Sequence, residues 1–314
     1  MSVNIGRAPF NRQRGVILLS LFVLLFLAGA GVVISVLDNN AIAQRRSSNT
    51  VFALGEAKAA LIAYAVLYSD YYAGSGPGYL PCPDSNGNGA ENVGCGLNSL
   101  GRLPELITLP SGSDFQLSTY NNDIDEQFWY GVSDIFRRGA LGVLNTATVS
   151  TLTLDARNQL AAVLIAPGPA TGAQARPSNA SDRYLEDSNT AAPDFVSGDA
   201  ANPELFNDRV LAISIDEIMM PITRKVADVL QEQLDAYHVL LTRYPTDLEF
   251  GPWLLLAPLP AWFTTNGWNA VTNYVQDTPD QATITFTGCP NISYQLSYVA
   301  IDTPASILKI GAQC

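Results

Sequence analysis

The chain has 314 residues, of which 47% are hydrophobic, and a formal net charge of −12. This length allows a substantial core and more than one domain, and the acidic balance argues against nucleic acid as a partner. The single histidine excludes a histidine-rich metal site.

The N-terminal 37 residues combine a short basic leader with an apolar segment. Residues 1–15 carry three arginines and no carboxylate, and they end in Gly15. Residues 16–37 are uncharged, and as a helix they would span about 33 Å, enough for a bilayer core of about 30 Å. The leading arginines and the acidic remainder predict a cytoplasmic N-terminus. Ala41-Ile42-Ala43 offers an alternative, cleavage as a secretory signal, but the apolar run is long for such a signal.

Helical character continues beyond this apolar segment. The pattern from Asn49 to Tyr64 contains no proline, and its apolar positions fall roughly on one face. We therefore predict one long helix that is apolar on all sides at first and one-sided afterwards. The one-sided apolar positions are Phe52, Leu54, Leu61, Ile62 and Val66.

The rest of the chain alternates between loops, strands and one further helix. Residues 71–109 are rich in glycine, proline and asparagine, which predicts a structured loop, and residues 168–203 predict an exposed loop. Apolar runs bounded by turn residues predict strands, and three- and four-residue steps predict an amphipathic helix at 216–243. The predicted strands are 127–133, 159–168, 209–214, 282–286 and 294–299.

Four cysteines fall as a close pair and a C-terminal pair, neither with zinc-site spacing. An even number of cysteines behind a membrane segment predicts two disulfides in an oxidising compartment. The shortest loops favour Cys82–Cys95 and Cys289–Cys314 over the two other connectivities, although sequence alone does not fix the pairing.

The strongest chemical motif lies inside the first cysteine pair. Asp84, Asn86 and Asn88 fit the start of a calcium loop, in which side-chain oxygens converge and a glycine allows a sharp turn. The position that should carry the closing glutamate is Cys95, so Glu91 is the candidate for the remaining ligand. The alternative is a loop of Asx turns held by the disulfide.

Nothing in the sequence favours catalysis, and we predict that the protein is not an enzyme. His238 lies inside the second predicted helix, where a surface or packing role is the simpler interpretation. Asp216 and Glu217 stand at the start of that helix, where its dipole favours anions.

The leader, the apolar helix and a series of short motifs resemble the type IV pilin and pseudopilin family, in particular its large minor pilin-like members. The motifs cover about 200 residues together with the leader. In chain order they are L-P-C-P-D, G-R-L-P, F-W-Y-G-V-S, A-P-G, Y-L-E and F-N-D-R-V-L, which begin at Leu80, Gly101, Phe128, Ala166, Tyr184 and Phe206.

This resemblance implies cleavage between Gly15 and Val16 by a prepilin peptidase, with methylation of the new amine. Its implied partners are that peptidase, the inner membrane and other pilin or pseudopilin subunits. Family members usually carry glutamate at the fifth mature position, where this chain has Ser20. A carboxylate in lipid needs a cation, which in these filaments is thought to be the amine of a neighbouring subunit. A subunit with nothing above it has no such partner, so the lack of the glutamate suits a tip or initiating position. The alternative is a degenerate anchor that never assembles.

These observations predict an α+β fold, with a long N-terminal transmembrane helix packed on a mainly antiparallel, pilin-like sheet. The expected segments are the leader 1–15, the helix 16–37, a globular domain 38–214 and a helix-plus-sheet subdomain 215–314, which could repeat the first module. The expected function is structural: a minor pilin or pseudopilin at or near the tip of a type IV pilus or type II secretion filament. The globular part would be periplasmic before assembly and reach the cell surface afterwards. The alternative is a membrane-anchored ligand-binding protein that never enters a filament.

Overall fold

The computed structural model describes residues 45, 47–92, 94–95, 99–117, 126–140, 143–172, 174–198, 206–298 and 306–314. The chain divides into two compact units, Met1–Val51 and Phe52–Cys314. The described residues of the first unit are helical. The second unit contains every strand that the structure describes.

Helix α1 (Ser47–Tyr71) is long and apolar enough to cross a membrane by length and composition, as are core helices of soluble proteins. It is amphipathic, as the sequence predicts. Leu54 and Leu61 are buried, but Phe52 is 67% exposed, so its predicted place on the same face as these leucines is wrong. The core face instead follows three- and four-residue steps that include small and aromatic side chains: Leu54, Ala57, Leu61, Tyr64, Ala65 and Tyr68.

Six strands form a mainly antiparallel sheet in the order β1-β4-β6-β5-β7, with β8 also pairing with β6. The long central strand β6 is fully buried along Leu160–Ala166, which explains its unbroken apolar sequence. Three predicted strands are thereby confirmed, while β5 and β7 form a parallel pair. The strands are β1 (Leu100–Arg102), β4 (Trp129–Val132), β5 (Leu152–Leu154), β6 (Arg157–Ala166), β7 (Asp194–Phe195) and β8 (Arg209–Ser214).

Two segments predicted as loops contain more structure than expected. The segment 71–109 includes β1 and part of a two-stranded sheet formed by β2 (Leu106–Thr108) and β3 (Asp114–Gln116). The segment 168–203 includes two short 3-10 helices, Ser181–Arg183 and Asp187–Thr190, and strand β7. Tyr184, Leu185 and Phe195 in this segment are buried in a second hydrophobic cluster, because they cover the face of the sheet opposite α1.

Helix α2 (Ile215–Leu241) matches the second predicted helix. It begins with a capping box, in which Ser214 accepts from the Glu217 backbone and the Glu217 carboxylate accepts from the Ser214 backbone. Helix α1 runs parallel to it. The Lys58 ammonium meets Glu217 at 2.5 Å near the start of α2, and the Lys225 ammonium meets Asp70 at 2.6 Å farther along both helices.

A four-stranded antiparallel sheet follows in the order β12-β11-β10-β9. It packs on α2, where the Tyr294 and Thr223 hydroxyl groups lie 2.8 Å apart. Two of its strands were predicted and are confirmed. The elements of this part are α3 (Asp247–Leu256), α4 (Ala261–Thr265), α5 (Trp268–Val271), β9 (Thr272–Thr278), β10 (Gln281–Phe286), β11 (Cys289–Ser297) and β12 (Ser306–Ile310).

Within the described residues the fold is therefore α+β, with one N-terminal apolar helix and several antiparallel sheets. One contiguous core contains α1, the first sheet, α2 and the second sheet. Both predicted cysteine pairs are joined in the structure, Cys82 to Cys95 and Cys289 to Cys314. Such bonds are typical of an oxidising, periplasmic or extracellular compartment.

Candidate functional site

The predicted processing residues Gly15 and Val16 and the position marker Ser20 lie outside the described residues, as does the apolar segment 16–37. The candidate sites that the structure does describe are the disulfide-closed loop 82–95 and an apolar surface on α2 and α3.

Asp84 organises the first half of the 82–95 loop. Its side chain is buried, and its two carboxylate oxygens accept three backbone hydrogen bonds. Oδ1 accepts from Asn86 at 3.1 Å and from Gly87 at 2.7 Å, and Oδ2 accepts from Gly89 at 2.8 Å. Both glycines have positive φ angles, 73° and 82°, so the chain can wrap around the carboxylate without strain from a side chain.

The two asparagines repeat this pattern on a smaller scale. The Asn86 side-chain oxygen accepts from the Asn88 backbone at 3.1 Å, and the Asn88 oxygen accepts from the Ala90 backbone at 2.9 Å. These are consecutive Asx turns, the alternative that the sequence left open. The Asn179 amide then ties the loop to the rest of the unit by donating to the Asn86 carbonyl at 2.7 Å.

Glu91 points into the unit, away from a role in these turns. Its side chain is almost fully buried and forms an ion pair with Arg138. Its other oxygen accepts from the Cys82 backbone at 3.4 Å. Burial raises the pKa of Glu91, and the Arg138 guanidinium, which lies 4.4 Å above the Tyr72 ring, offsets part of that effect.

The four predicted calcium ligands therefore have separate protein partners. Asp84, Asn86 and Asn88 bind backbone N–H groups, and Glu91 binds a guanidinium, so their oxygens do not form a common cluster in the described contacts. These hydrogen bonds and the ion pair stabilise the loop through contacts within the protein. Calcium binding by this loop stays a prediction.

The second candidate site is an apolar surface at the end of the second unit opposite Phe52. Helices α1 and α2 are parallel, and Lys58 meets Glu217. The 24 residues of α2 that follow Glu217, as far as Leu241, therefore extend the helix about 36 Å beyond that contact. The Tyr237 and Trp253 rings lie 6.2 Å apart and bring α3 against the end of α2. We call the exposed side chains here the distal apolar surface: Val239, Leu240, Leu241, Leu248, Leu255 and Leu256.

Helix α3 contributes most of this surface. Its sequence, DLEFGPWLLL, is apolar almost all round, and Phe250, stacked on the Tyr274 ring at 4.1 Å, is its only fully buried residue. Leu248 is 90% exposed and Leu256 is 85% exposed. A helix that is apolar on all sides is usually buried, and contiguous exposed apolar surface is typical of interaction sites. Sequence analysis missed this surface, although an apolar run without periodicity was a usable signal.

His238 has the packing role that the sequence favoured. It is buried in α2, its ring stacks on Tyr298 with centroids 3.7 Å apart, and its Nε2 lies 2.7 Å from the Asp280 carboxylate. Glu217 likewise has a structural role, because it is part of the capping box at the start of α2. Burial alone would raise its pKa, but hydrogen bonds from Lys58 and the Ser214 backbone hold that pKa below its ordinary value. Both residues thus make structural contacts at α2.

Comparison with models of protein families, with curated proteins and with solved structures finds no match. The distal apolar surface is therefore interpreted from its own chemistry.

Proposed function

We propose that this protein is a minor pilin or pseudopilin with a structural role at or near the tip of a type IV pilus or type II secretion filament. In this proposal a prepilin peptidase cleaves between Gly15 and Val16, the new amine is methylated, and residues 16–37 anchor the subunit in the inner membrane before assembly. The globular part is periplasmic until the filament carries it to the surface.

The observation that carries this proposal is helix α1. It begins ten positions after the uncharged segment ends at Leu37, and its Leu54–Tyr68 face packs into a mainly antiparallel α+β unit. A single apolar helix that leads into an antiparallel globular unit is the architecture that the resemblance implies. The two disulfides suit the predicted compartment.

The distal apolar surface supports a terminal position. In this proposal the subunit is anchored through residues before Phe52. Helix α3, at the other end of the second unit, can then bind a partner that is not a subunit of the filament. The same surface suits the second candidate function, a membrane-anchored binding protein that never enters a filament. The two candidates differ in whether the leader is removed.

The intact mass of the protein purified from its own membranes tests the proposal. We expect a chain that begins at Val16, with the mass of one added methyl group. A Gly15→Val variant is the matched control and should keep its leader. A wild-type chain that retains residues 1–15 would overturn the filament proposal in favour of the anchored binding protein. A chain that begins at Gln44 would show that the N-terminus is a secretory signal.

A further inference from the structure

A groove lies between strand β12 and helix α1, with α2 as its floor. Its volume is about 620 Å³, and it opens widely to solvent. A second cavity of about 340 Å³ shares Glu217 and Met220 with it and extends to Gln313. The groove is lined by Ile62 of α1, by Met220 and Pro221 on the floor, and by Glu217, Arg224 and Lys309 on the rim.

One wall of the groove is a sheet edge. In the described sheet β12 pairs with β11 alone, so its other side has no neighbouring strand. The Arg224 guanidinium donates to the carbonyl of Ile307 at 3.4 Å, so this carbonyl points toward α2. The main-chain groups of alternate residues in a strand point to the same side, so the N–H and carbonyl of Lys309 point into the groove as well.

Among the described residues, one positive charge on the rim of the groove has no counter-ion. Glu217 is paired with Lys58 at 2.5 Å, and Arg224 is paired with Asp228 at 2.9 Å. The ammonium of Lys309 makes no hydrogen bond or ion pair with the residues that the structure describes. In a protein with a net charge of −12, this cation beside an apolar floor is a local exception that favours an acidic group.

We propose that this groove binds an extended peptide segment of a partner chain, which adds to β12 as a further antiparallel or parallel strand. The Lys309 main chain supplies the hydrogen bonds, as at other sheet edges that capture peptides. Ile62, Met220 and Pro221 receive one apolar side chain, and a carboxylate two positions along the segment faces the Lys309 ammonium. The proposed binding does not involve the leader or the apolar segment. Peptide binding can therefore be disproved while the proposed function stands, and the proposed function can be disproved while peptide binding stands.

The test uses the full chain in detergent micelles and a pair of matched synthetic peptides. The first is acetyl-Thr-Val-Thr-Asp-Thr-Val-Thr-amide, whose two valines and aspartate share one face of a strand, and the second has lysine in place of the aspartate. We expect the aspartate peptide to bind about tenfold more tightly, because charge complementarity sets the preference. A Lys309→Glu variant should reverse the order.

Two further measurements separate strand addition from simple charge attraction. Hydrogen exchange of the Lys309 amide should slow when the aspartate peptide binds. A Lys309→Pro variant, which lacks that donor, should bind more weakly than Lys309→Ala, and both should unfold at the same temperature because proline is tolerated on a free edge. Equal affinity for the two peptides, or protection of other strands instead, would overturn the proposal. So would concentration-dependent self-association that protects Lys309 without peptide, since the occupant would then be a second copy.

Discussion

The 82–95 loop buries charged side chains, whereas helix α3 exposes apolar side chains to solvent. In the loop, the charged Asp84 is only 1% exposed and accepts three backbone N–H groups, and the charge of Glu91 is matched by Arg138. In α3, apolar Leu248 and Leu256 are more than four-fifths exposed, and no described residue covers them. Both arrangements run against the usual distribution of polar and apolar groups.

The difference between the two regions shows where an unmet requirement lies. The loop carries the motif that most resembles a ligand site, yet its polar groups are satisfied by the protein itself. Helix α3 carries no motif, yet it leaves apolar surface in water, which costs free energy unless another surface covers it. Within the described residues, α3 therefore leaves an unmet requirement that the loop does not.

Asp84→Ala tests most strongly whether the loop supports itself. The substitution leaves three backbone N–H groups without their acceptor, so we expect the free energy of unfolding to fall by about 4 kcal/mol. Chemical denaturation measures this change. Asp84→Asn is the control. Its amide oxygen can still accept from Asn86 and Gly87, so we expect this variant to lose about half as much free energy of unfolding as Asp84→Ala.

The same experiment with calcium or a chelator sharpens the comparison. The observed hydrogen bonds need no cation, so we expect the same wild-type unfolding midpoint in both solutions, an outcome that would count against the calcium binding predicted from the sequence. A midpoint that rises with calcium in the wild type and not in Asp84→Ala would reverse the comparison and make the loop a ligand site.

A second buried carboxylate, Asp208, differs from Asp84 because it has another carboxylate beside it. Its Oδ2 accepts from the Glu186 backbone and from the Asn189 side chain, both at 3.1 Å, while the Glu186 carboxylate shares a hydrogen bond with it. Burial, with the charge of Glu186, raises the pKa of Asp208 from 3.8 to about 8. The folded protein thus holds a proton that the unfolded chain releases above about pH 4.

Rising pH should therefore destabilise the protein between about pH 4 and pH 8 and have no further effect through this group above that range. We expect a loss on the order of 2 kcal/mol between pH 5 and pH 8, because one pKa unit is worth about 1.4 kcal/mol and water around the partly exposed Glu186 screens part of the interaction. Asp208→Asn should remove this part of the pH dependence, as measured by denaturation at each pH. The exposed Asp182→Asn variant should keep it, and parallel pH curves for wild type and Asp208→Asn would contradict the explanation.

The sequence predicted the elements whose periodicity matches their burial. Helix α2 was found because Ile218, Ile222 and Val226 share its buried face. Helix α3 and its neighbours were missed because the segment 245–260 is apolar without period and interrupted by Pro252, Pro258 and Pro260.

The candidate sites depended on contacts that no local pattern contains. Glu91 was a candidate ligand because it follows the asparagine turns, and its ion pair with Arg138, 47 residues away, is a contact that the local sequence does not predict. Phe52 looked like a core residue, but Ala57 and Tyr64 define the true core face of α1, and small or amphipathic side chains carry a weak hydrophobic signal.

The smallest expected effect tests the other side of the comparison, the exposed leucines of α3. A Leu255→Ser, Leu256→Ser double variant should change the free energy of unfolding by no more than about 0.5 kcal/mol, because both side chains are in water. The same variant should bind less of a dye that becomes fluorescent on apolar surface. Phe250→Ser in the same helix is the matched control, and it should cost about 3 kcal/mol because it removes a buried ring. If the leucine variant instead lost as much stability as the phenylalanine variant, α3 would already be covered within the protein and would need no partner.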